Sequence, residues 1–399
     1  MTASLDGIEQ HFDHNAPEHA VGRRARYADL RQSCPVLHSD NYDGFFVLSR
    51  HRDIIRVLKN PRTFSSASGI TIPRMTLAAN SIPTESDEPD HSHYRRVLWP
   101  FLTPRAVAGY EGLVRRTVTE LINDFIETGQ ADIMEQLAKP VPALVTGQFF
   151  GFTAEEGRRL YELLETMLAI GPTDPERGQA AGTELYAMYQ ASLDAARHSP
   201  GEDVSSAIVT YDYEGRTFSN DECLGLLLTA TAGALATTVA AIGCAVRLLW
   251  EFPDQRRRLI EHPELSARAV EEVLRMDAPA HALLRTVTES CEVGGVTLES
   301  GDRVLLLYDS GNYDGGAFED PEQFKVDRPN NAHLSFGHGI HKCEGQHLAR
   351  LEIQVVIEEF LRRIPDYEVV STPTLTTAGG VLGLANLHIT FPPAAGVSV

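Results

Sequence analysis

One uncharged stretch limits what this 399-residue chain can fold into. Between Glu222 and Arg247 lie 24 residues without a charge, CLGLLLTATAGALATTVAAIGCAV. At about 1.5 Å per residue a helix of this length can cross a bilayer. However, four threonines and three glycines dilute its hydropathy, and acidic residues precede it. A helix that is apolar on every face must be surrounded by other elements. We therefore expect the central, buried helix of a large protein with no membrane anchor.

Composition predicts a folded protein and excludes several classes of function. Apolar residues make up 43% of the chain and charged residues 23%, which excludes disordered and collagen-like architectures. The net charge of -20 argues against a general nucleic-acid-binding surface. The five cysteines never form a CxxC pair, which argues against a disulfide framework or a tetrahedral zinc site and suits a reducing cytosol. Because the first residues are polar and acidic and lack a secretory signal pattern, we expect a cytoplasmic protein.

Hydrophobic periodicity predicts a mainly α fold with a minor β part, of the α+β class. No linker, repeat or low-complexity run divides the chain, so residues 1–399 are expected to form a single domain. Helical patterns cover 51–59, 104–150 with a break at 139–142, 153–170, 175–197, 265–276 and 346–360. Strand patterns form a hairpin at 36–49 and recur at 284–288, 292–298, 303–308, 367–370 and 387–391. The β-rich portions are therefore near 35–50, 284–308 and 367–391, and 63–89 is a long loop of the kind that is usually functional.

The sequence FGHGIHKCEG at residues 336–345 carries the strongest chemical signal. It places Cys343 at the end of a glycine-containing loop, just before a helical pattern. Unpaired amides and the dipole at a helix N-terminus stabilise a thiolate, so we expect a lowered pKa for this thiol. Glycines also let the backbone pass close to a flat, bulky group. On this reasoning alone Cys343 is a nucleophile, a redox thiol or an axial metal ligand, although a lone cysteine is more often a small buried hydrophobe.

This stretch resembles the haem-binding loop of the cytochrome P450 family, FGxGxHxCxG, at every specified position. The resemblance is to the soluble bacterial type and extends over essentially the whole chain. It implies the P450 fold, with haem b (iron protoporphyrin IX) between the long central helix and the Cys loop with its following helix. It further implies that Cys343 is the axial ligand of the haem iron and that His341 lies near a haem propionate.

Three more basic residues match propionate-binding positions of the family. His91 and Arg95 resemble its HxxxR motif, and residues four apart share one face of a helix. The alternative for these two is a solvated, basic helix start. Arg285 matches the family's other propionate-binding arginine. The resemblance thus implies that His91, Arg95, Arg285 and His341 bind the cofactor together with Cys343.

A fourth match is structural. Glu272-Val273-Leu274-Arg275 is an ExxR motif, which by itself predicts only a surface ion pair worth about a few tenths of a kcal/mol. In the family this pair joins an arginine that precedes the haem loop, and residues 320–328 supply Arg328 at that place. The resemblance therefore implies a structural lock of Glu272, Arg275 and Arg328.

The central helix departs from the family pattern (A/G)Gx(D/E)T. An alignment anchored on Thr237-Thr238 puts Ala236 at the position of the acid. An alignment anchored on Ala232-Gly233 puts Leu235 there and Ala236 at the alcohol. Neither contains the carboxylate that normally supplies protons. We expect Thr237 and ordered water to relay protons, with more peroxide as by-product than the family norm.

Small residues on the central helix indicate where a substrate would bind. They recur at helical spacing along one stripe, at Thr229, Ala232, Gly233, Ala236 and Thr237. If the stripe faces the haem, the pocket is roomy and suits a bulky apolar substrate; the alternative is that small residues only allow close helix packing. His281 and Leu283 fall where the family lines its pocket, although a lone histidine is more often satisfied locally.

The sequence contains no GxGxxG after a strand and no iron–sulfur cysteine set, so electrons must come from separate proteins. We expect a ferredoxin and a ferredoxin reductase. Basic residues expected on the thiolate side would dock the donor, unless they are ordinary solvated charges; they are Arg95, Arg96, Lys342 and Arg350.

The resemblance implies a haem-thiolate monooxygenase that inserts one oxygen atom from O2 into a lipophilic small molecule, such as a terpenoid or another natural product. Because the usual acid is missing at Ala236, oxidative coupling, dehydrogenation or peroxide-driven chemistry stays open as an alternative. A non-catalytic haem-binding protein is a further alternative.

Overall fold

The computed structural model describes residues 11–16, 22–74, 81–376 and 380–397. Helices in these ranges, numbered in chain order, are α1 Arg23–Ser33, α2 His51–Leu58, α3 Asp90–Leu102, α4 Pro104–Ala108, α5 Glu111–Ile126, α6 Pro140–Phe149, α7 Ala154–Glu165, α8 Pro175–His198, α9 Val204–Val209, α10 Asn220–Glu251, α11 Pro253–Glu261, α12 Ser266–Met276, α13 Tyr308–Asn312 and α14 Gln346–Arg363. Short 3-10 turns occur at Asn41–Asp43, Pro263–Leu265 and Gly339–His341, and π-helical turns at Met134–Ala138 and Thr166–Ile170.

Strands in the same ranges are short and form small sheets. They are β1 Val36–Ser39, β2 Phe45–Leu48, β3 Phe64–Ser65, β4 Gln130–Asp132, β5 Ala282–Val287, β6 Cys291–Val293, β7 Val296–Leu298, β8 Arg303–Leu307, β9 Glu368–Val369, β10 Leu375–Thr376, β11 Gly383–Leu384 and β12 His388–Thr390. One sheet has the order β1-β2-β8-β5-β3, in which only β2 and β8 are parallel, and another has the order β4-β12-β9. Two hairpins, β6–β7 and β10–β11, complete the set.

Helix α10 contains the uncharged stretch and lies at the centre of the fold. Its start is fixed by a capping box, in which the Ser219 side chain accepts from the Glu222 amide and the Glu222 carboxylate accepts from the Ser219 amide. The helix packs against α6, α8, α12 and α14, and every residue from 238 to 249 is buried. By length and composition alone α10 could cross a membrane, yet 56% of its most apolar 18-residue window is buried inside the protein. It therefore has the burial of a core helix, as the sequence predicts.

The predicted mainly helical architecture with a minor sheet part is confirmed, while several boundaries are wrong. The hairpin at 36–49 forms as β1 and β2, paired from Val36–Leu48 to Ser39–Phe45. The helical range predicted over 104–150 is instead divided, since β4 and a π-helical turn separate α5 from α6. The single strand predicted at 292–298 is a hairpin, because Gly294 and Gly295 both take positive φ and turn the chain.

Candidate active site

The loop at residues 336–345 presents Cys343 just before α14. The Cys343 amide donates to the carbonyl of Phe336 at 2.8 Å, which closes the loop. Gly339 has φ 73°, and a Cβ atom there would lie 2.1 Å from the carbonyl oxygen of Leu58 at the end of α2. Only glycine allows this close approach. The loop is therefore held against α2, and this contact fixes the position of Cys343.

Cys343 is exposed at the end of this loop. Desolvation by the surrounding residues is nevertheless the largest influence on the pKa of its thiol and raises that pKa. The Gly345 amide, near the start of α14, lowers the pKa as expected, but less than burial raises it. The predicted net lowering is therefore wrong for the protein alone, since the desolvation of a thiolate outweighs the amide.

Four basic side chains converge beside this loop. The rings of His91 on α3 and His341 are 4.3 Å apart between centroids. The pKa of His341 is lowered to about 3, first by burial and then by the nearby charges of Arg285, His91 and Arg95. Helix α3, strand β5 and the loop thus bring together the four residues that the sequence singles out around Cys343.

Two of these four groups, the histidines, lack the partners that buried polar groups normally have. Both ring nitrogens of His91 and the Nε2 of His341 are buried without a hydrogen bond in the described part of the chain. His91 Nδ1 lies 3.5 Å from a carboxylate oxygen of Glu88 without forming a hydrogen bond. Arg285 is 3% exposed and donates to the Leu284 carbonyl at 2.7 Å, but no carboxylate among the described residues forms an ion pair with it. Buried, unpaired donors of this kind favour an anionic ligand.

Arg95 also binds the backbone of the Cys loop. Its Nη1 donates to the carbonyl oxygens of Ile340 at 2.9 Å and Lys342 at 2.8 Å, and its Nε lies 3.6 Å from Glu344. These bonds tie α3 directly to the loop on the N-terminal side of Cys343. Arg95 therefore positions the loop whatever else it binds.

Glu272, Arg275 and Arg328 form one buried ion cluster. Arg275 makes two bonds of 2.8 Å to the Glu272 carboxylate, and the side chains of both residues are 0% exposed. The Nε of Arg328 lies 3.0 and 2.9 Å from the two oxygens of the same carboxylate. The geometry is thus the three-residue arrangement that the family resemblance implies, and it is buried rather than on the surface.

The cluster is connected to the Cys loop through backbone and side-chain bonds. Arg275 donates to the carbonyl of Asn312 at 3.0 Å. The Asn312 side chain in turn accepts from the amide of Leu334 at 2.7 Å and donates to Ser335 Oγ at 3.0 Å. Ser335 Oγ donates to the Leu274 carbonyl at 2.6 Å. The segment that enters the loop at Phe336 is therefore anchored to α12.

The middle of α10 faces open space. Gly233 is exposed, and a Cβ atom at this position would meet nothing within 4 Å. Thr237 Oγ1 donates to the Gly233 carbonyl at 2.6 Å. Ala236 stands beside Thr237 where a carboxylate would be expected, and residues 229–240 contain no acid.

A cavity of about 280 Å³ adjoins α10 and contains two of the predicted pocket residues, Ala232 and Ala236, in its wall. This volume lies just below the usual range for small-molecule sites, about 300–1,000 Å³, and the roomy haem-facing pocket stays a prediction. Thr229, Gly233, Thr237 and Leu283 do not line it. Thr229 Oγ1 is buried without a hydrogen bond in the described residues, and Leu283 lies on β5 against the core beneath the five-stranded sheet.

His281 also lies outside this cavity. It is 3% exposed and packs near His14, with 6.2 Å between the ring centroids. Burial lowers its pKa to about 3, with smaller effects from His14 and Arg23, so the ring is neutral. Both ring nitrogens lack a hydrogen bond within the described residues. A role for His281 in substrate binding stays a prediction.

Comparison with known proteins decides the family. The chain is 32% identical to cytochrome P450 130 of Mycobacterium tuberculosis over 368 residues, which cover 88% of this chain and 91% of that protein. The chain belongs to the cytochrome P450 family. The family model named Cytochrome P450 matches residues 183–365. This P450 is also 30% identical to linalool 8-monooxygenase of Pseudomonas putida, over 92% of this chain and 95% of that protein.

The fold comparison agrees. The crystal structure of CYP109E1 from Bacillus megaterium in complex with testosterone superposes with a TM-score of 0.86 at 27% identity, covering 94% of this chain and 99% of that one. Family membership makes the chain a haem-thiolate monooxygenase, so a haem cofactor is implied. The observed residues fit such a group: the exposed Cys343 suits an axial thiolate, and the unpaired ring nitrogens of His91 and His341, together with the buried Arg285, suit its carboxylates.

Two of the four basic residues of the expected docking surface lie near carboxylates, Arg350 beside Glu271 and Arg95 beside Glu344. Arg350 pairs with Glu271 at 2.6 Å, and the guanidinium of Arg96 lies 3.8 Å from the ring centroid of Tyr213. Arg95 is engaged with the loop carbonyls. A donor that docks here would meet partly paired charges instead of four free ones.

Sequence reasoning missed a polar group in the wall of the cavity. Lys139 precedes α6, while Tyr161 and Glu165 lie on α7, and all three line the space beside Ala232 and Ala236. Local spacing gives no signal for this group, because its members meet only through the packing of α6 and α7.

Proposed function

We propose that this cytochrome P450 binds haem b and inserts one oxygen atom from O2 into a lipophilic small molecule. The observation that carries the proposal is the position of the exposed Cys343 at the end of its loop, beside the buried, unpaired ring nitrogens of His91 and His341. When bound there, a thiolate-ligated haem supplies the activation of O2. The chain's own residues then hold the cofactor, position protons and shape the substrate site.

Cys343 would be the axial ligand, and it must lose its proton to serve as one. His91, Arg95, Arg285 and His341 would neutralise and hydrogen-bond the haem propionates. The four side chains come from three elements, and Arg95 already ties two of these, α3 and the loop, together, so little rearrangement is needed to receive an anion. The buried donors gain the partners they otherwise lack.

Thr237 would position water near the reacting atoms. Its hydroxyl proton is committed to the Gly233 carbonyl, so its oxygen is free to accept a hydrogen bond from water. Thr237 can therefore hold a proton donor but is a poor source of protons itself. With alanine at 236, the proton must reach this water from solvent or from another group.

The substrate would be a terpenoid or a related natural product. The cavity is lined mainly by aliphatic side chains, which suits a lipophilic skeleton. This substrate class is consistent with the name of one relative, linalool 8-monooxygenase, and with the testosterone bound in the structure of CYP109E1.

Electrons would come from a ferredoxin and its reductase, since the sequence has no flavin or nicotinamide fingerprint. We place the protein in the cytoplasm without a membrane anchor. The burial of α10 and the absence of CxxC pairs support this placement.

A second reaction class is favoured by one observation, the alanine at 236. If protons are scarce, the same oxidising site would support oxidative coupling, dehydrogenation or peroxide-driven chemistry. The mass of the product separates these: one added oxygen indicates insertion, whereas loss of two hydrogens or a dimer indicates dehydrogenation or coupling.

The deciding experiment is an absorption spectrum of the haem-loaded protein, reduced and treated with carbon monoxide. We expect the long-wavelength Soret band of a thiolate-ligated ferrous haem. Cys343→Ser should lose this band, whereas Cys291→Ser, at a half-buried cysteine on β6, should keep it. A shorter-wavelength band in the unaltered protein would refute the monooxygenase proposal.

A further inference from the structure

Tyr308 is a fully buried tyrosine beside the Cys loop. It follows β8 at the start of α13, and it is 1% exposed. Its hydroxyl oxygen lies 3.8 Å from the point where a Cβ atom of Gly337 would stand. The phenol therefore extends from the sheet to the loop that presents Cys343.

The same phenol lies next to Arg285. Leu283, Arg285 and Val287 share one face of β5, because side chains alternate along a strand. Tyr308 belongs to the apolar cluster that contains Val287 and against which Leu283 packs, so it lies on this face. Burial raises the pKa of the Tyr308 phenol, and the charge of Arg285, with a hydrogen bond from its guanidinium, partly offsets the increase. The guanidinium of Arg285 is thus directed at the phenol oxygen.

The hydroxyl proton of Tyr308 has no acceptor within the described part of the chain. Two other buried tyrosines give their protons to backbone carbonyls, Tyr313 to Met276 at 2.8 Å and Tyr367 to Val246 at 2.7 Å. A phenol oxygen can accept one hydrogen bond and donate another. Because Arg285 occupies the accepting side of Tyr308, its O–H stays available for a group that the chain does not supply.

The surroundings of this O–H select an anion. Arg285 lies close to His341 as well, since after burial its charge is the largest influence that lowers the pKa of the His341 ring. A cationic group would be repelled by Arg285. A carboxylate can accept from the guanidinium and from the phenol at the same time, and hydrogen bonds to a charged acceptor are the stronger ones.

We propose that Tyr308 donates its phenol proton to the haem propionate that Arg285 binds. The inference rests on the proposed function, because it adds a fifth residue to the propionate site described there. Arg285 also donates to the Leu284 carbonyl at 2.7 Å, so the backbone on one side and the phenol on the other fix its guanidinium. Tyr308 thereby binds the cofactor and positions Arg285, and it takes no part in the reaction itself.

The test is the rate at which the ferric protein loses haem to an excess of apomyoglobin. Tyr308→Phe keeps the ring in the core and removes only the O–H. We expect about tenfold faster haem loss, because a hydrogen bond to a charged acceptor is lost. The absorption spectrum of the reduced protein with carbon monoxide should keep the thiolate Soret band.

Tyr367→Phe is the matched control. Tyr367 is also 1% exposed and lies beside an arginine, with Arg256 4.7 Å from its ring centroid, but its hydroxyl donates to the Val246 carbonyl. Its loss leaves a buried carbonyl without a donor, so Tm should fall. Haem loss should stay at the rate of the unaltered protein.

A second cofactor separates a bond to the propionate from a general loosening of the core. Both the unaltered protein and Tyr308→Phe are loaded with the dimethyl ester of haem b, whose ester groups carry no charge. The difference in the rate of cofactor loss should then shrink to about twofold or less. A role in packing alone would keep the tenfold difference with either cofactor.

Two results would overturn the inference: equal rates of haem loss for Tyr308→Phe and the unaltered protein, or a tenfold difference that persists with the dimethyl ester. Its failure is separable from that of the proposed function. Either result together with a thiolate Soret band refutes only the role of Tyr308. A shorter-wavelength band in the unaltered protein refutes the monooxygenase, while the rates of haem loss still test Tyr308.

Discussion

We expect Glu272→Gln to destabilise this P450 far more than Glu271→Gln, the same change one residue earlier. The Glu272 carboxylate is fully buried and accepts bonds from Arg275 and Arg328, from the Asn331 side chain and from the amide of Lys325. Glutamine keeps the shape of the side chain but removes its charge. It also replaces one carboxylate oxygen by an amide NH2 group, which is a donor and would face the guanidinium donors.

The size of this destabilisation follows from the buried arginines that lose their counter-charge. Two arginines would stay buried without a counter-charge, and breaking a buried ion pair in this way costs about 3–5 kcal/mol. The free energy of unfolding of a folded protein is only about 5–15 kcal/mol in total, so this loss is a large part of its stability. Glu271 pairs with Arg350 and His333, which outweigh desolvation and hold the pKa of its carboxyl at about 2, but its side chain is 25% exposed, so water can solvate the partners left behind and the loss should be smaller than at Glu272.

The assay is thermal unfolding together with the haem content of the purified protein. Glu272→Gln should lower Tm by about 5 °C or more and reduce bound haem, whereas Glu271→Gln should change Tm by about 2 °C or less. Arg328→Lys, which keeps the charge but loses the fork of donors, should fall between them. Equal Tm values for the two glutamine variants would refute the view that the buried cluster anchors the loop.

Three further outcomes are expected. Ala236→Asp should raise the ratio of product to peroxide, because it restores an acid beside Thr237; an unchanged ratio shows that the proton supply was never limiting. Gly339→Ala should abolish most haem binding, since its Cβ would meet the Leu58 carbonyl at 2.1 Å, while Gly315→Ala, with nothing within 4 Å, should be silent in the same measurement. Stability should fall as the pH drops from 6.5 towards 3, because the unfolded chain binds a proton that the buried His281, with its pKa lowered to about 3, does not. Urea unfolding of His281→Phe across that range should show a shallower dependence, and an unaltered slope would contradict this assignment.

How far the sequence predicts this site depends on how local each feature is. The Cys loop is ten consecutive residues, one of which, Gly339, is required by a close backbone approach, so its chemistry can be read directly. The pair Glu272 and Arg275 shares one helix face, but its burial cannot be predicted from spacing alone. Only the resemblance supplied Arg328, which lies in a separate segment. Lys139 and Glu165 carry no local signal at all.

The fold shows the same division. The periodicity of α10 is strong, and its capped start at Ser219 lies close to the predicted uncharged range. Strand β4 was missed because it is three residues long and pairs with β12, far away in the sequence. The sequence predicts a lowered pKa for the Cys343 thiol because it shows the start of the helix. It does not show the desolvation of the thiol, which has the larger effect and raises the pKa.

Unpaired donors connect the binding of the cofactor to the stability of this region. His91 and His341 bury ring nitrogens without partners, and each such group costs about 1–3 kcal/mol. An anion that satisfies them recovers that free energy, so a haem with two carboxylates stabilises the same elements that hold it. Arg95 already ties α3 to the loop, and Asn312 ties the loop to the buried cluster on α12. Local folding and haem binding are therefore coupled, and the haem content of a variant reports on the packing of this loop as well as on its ligands.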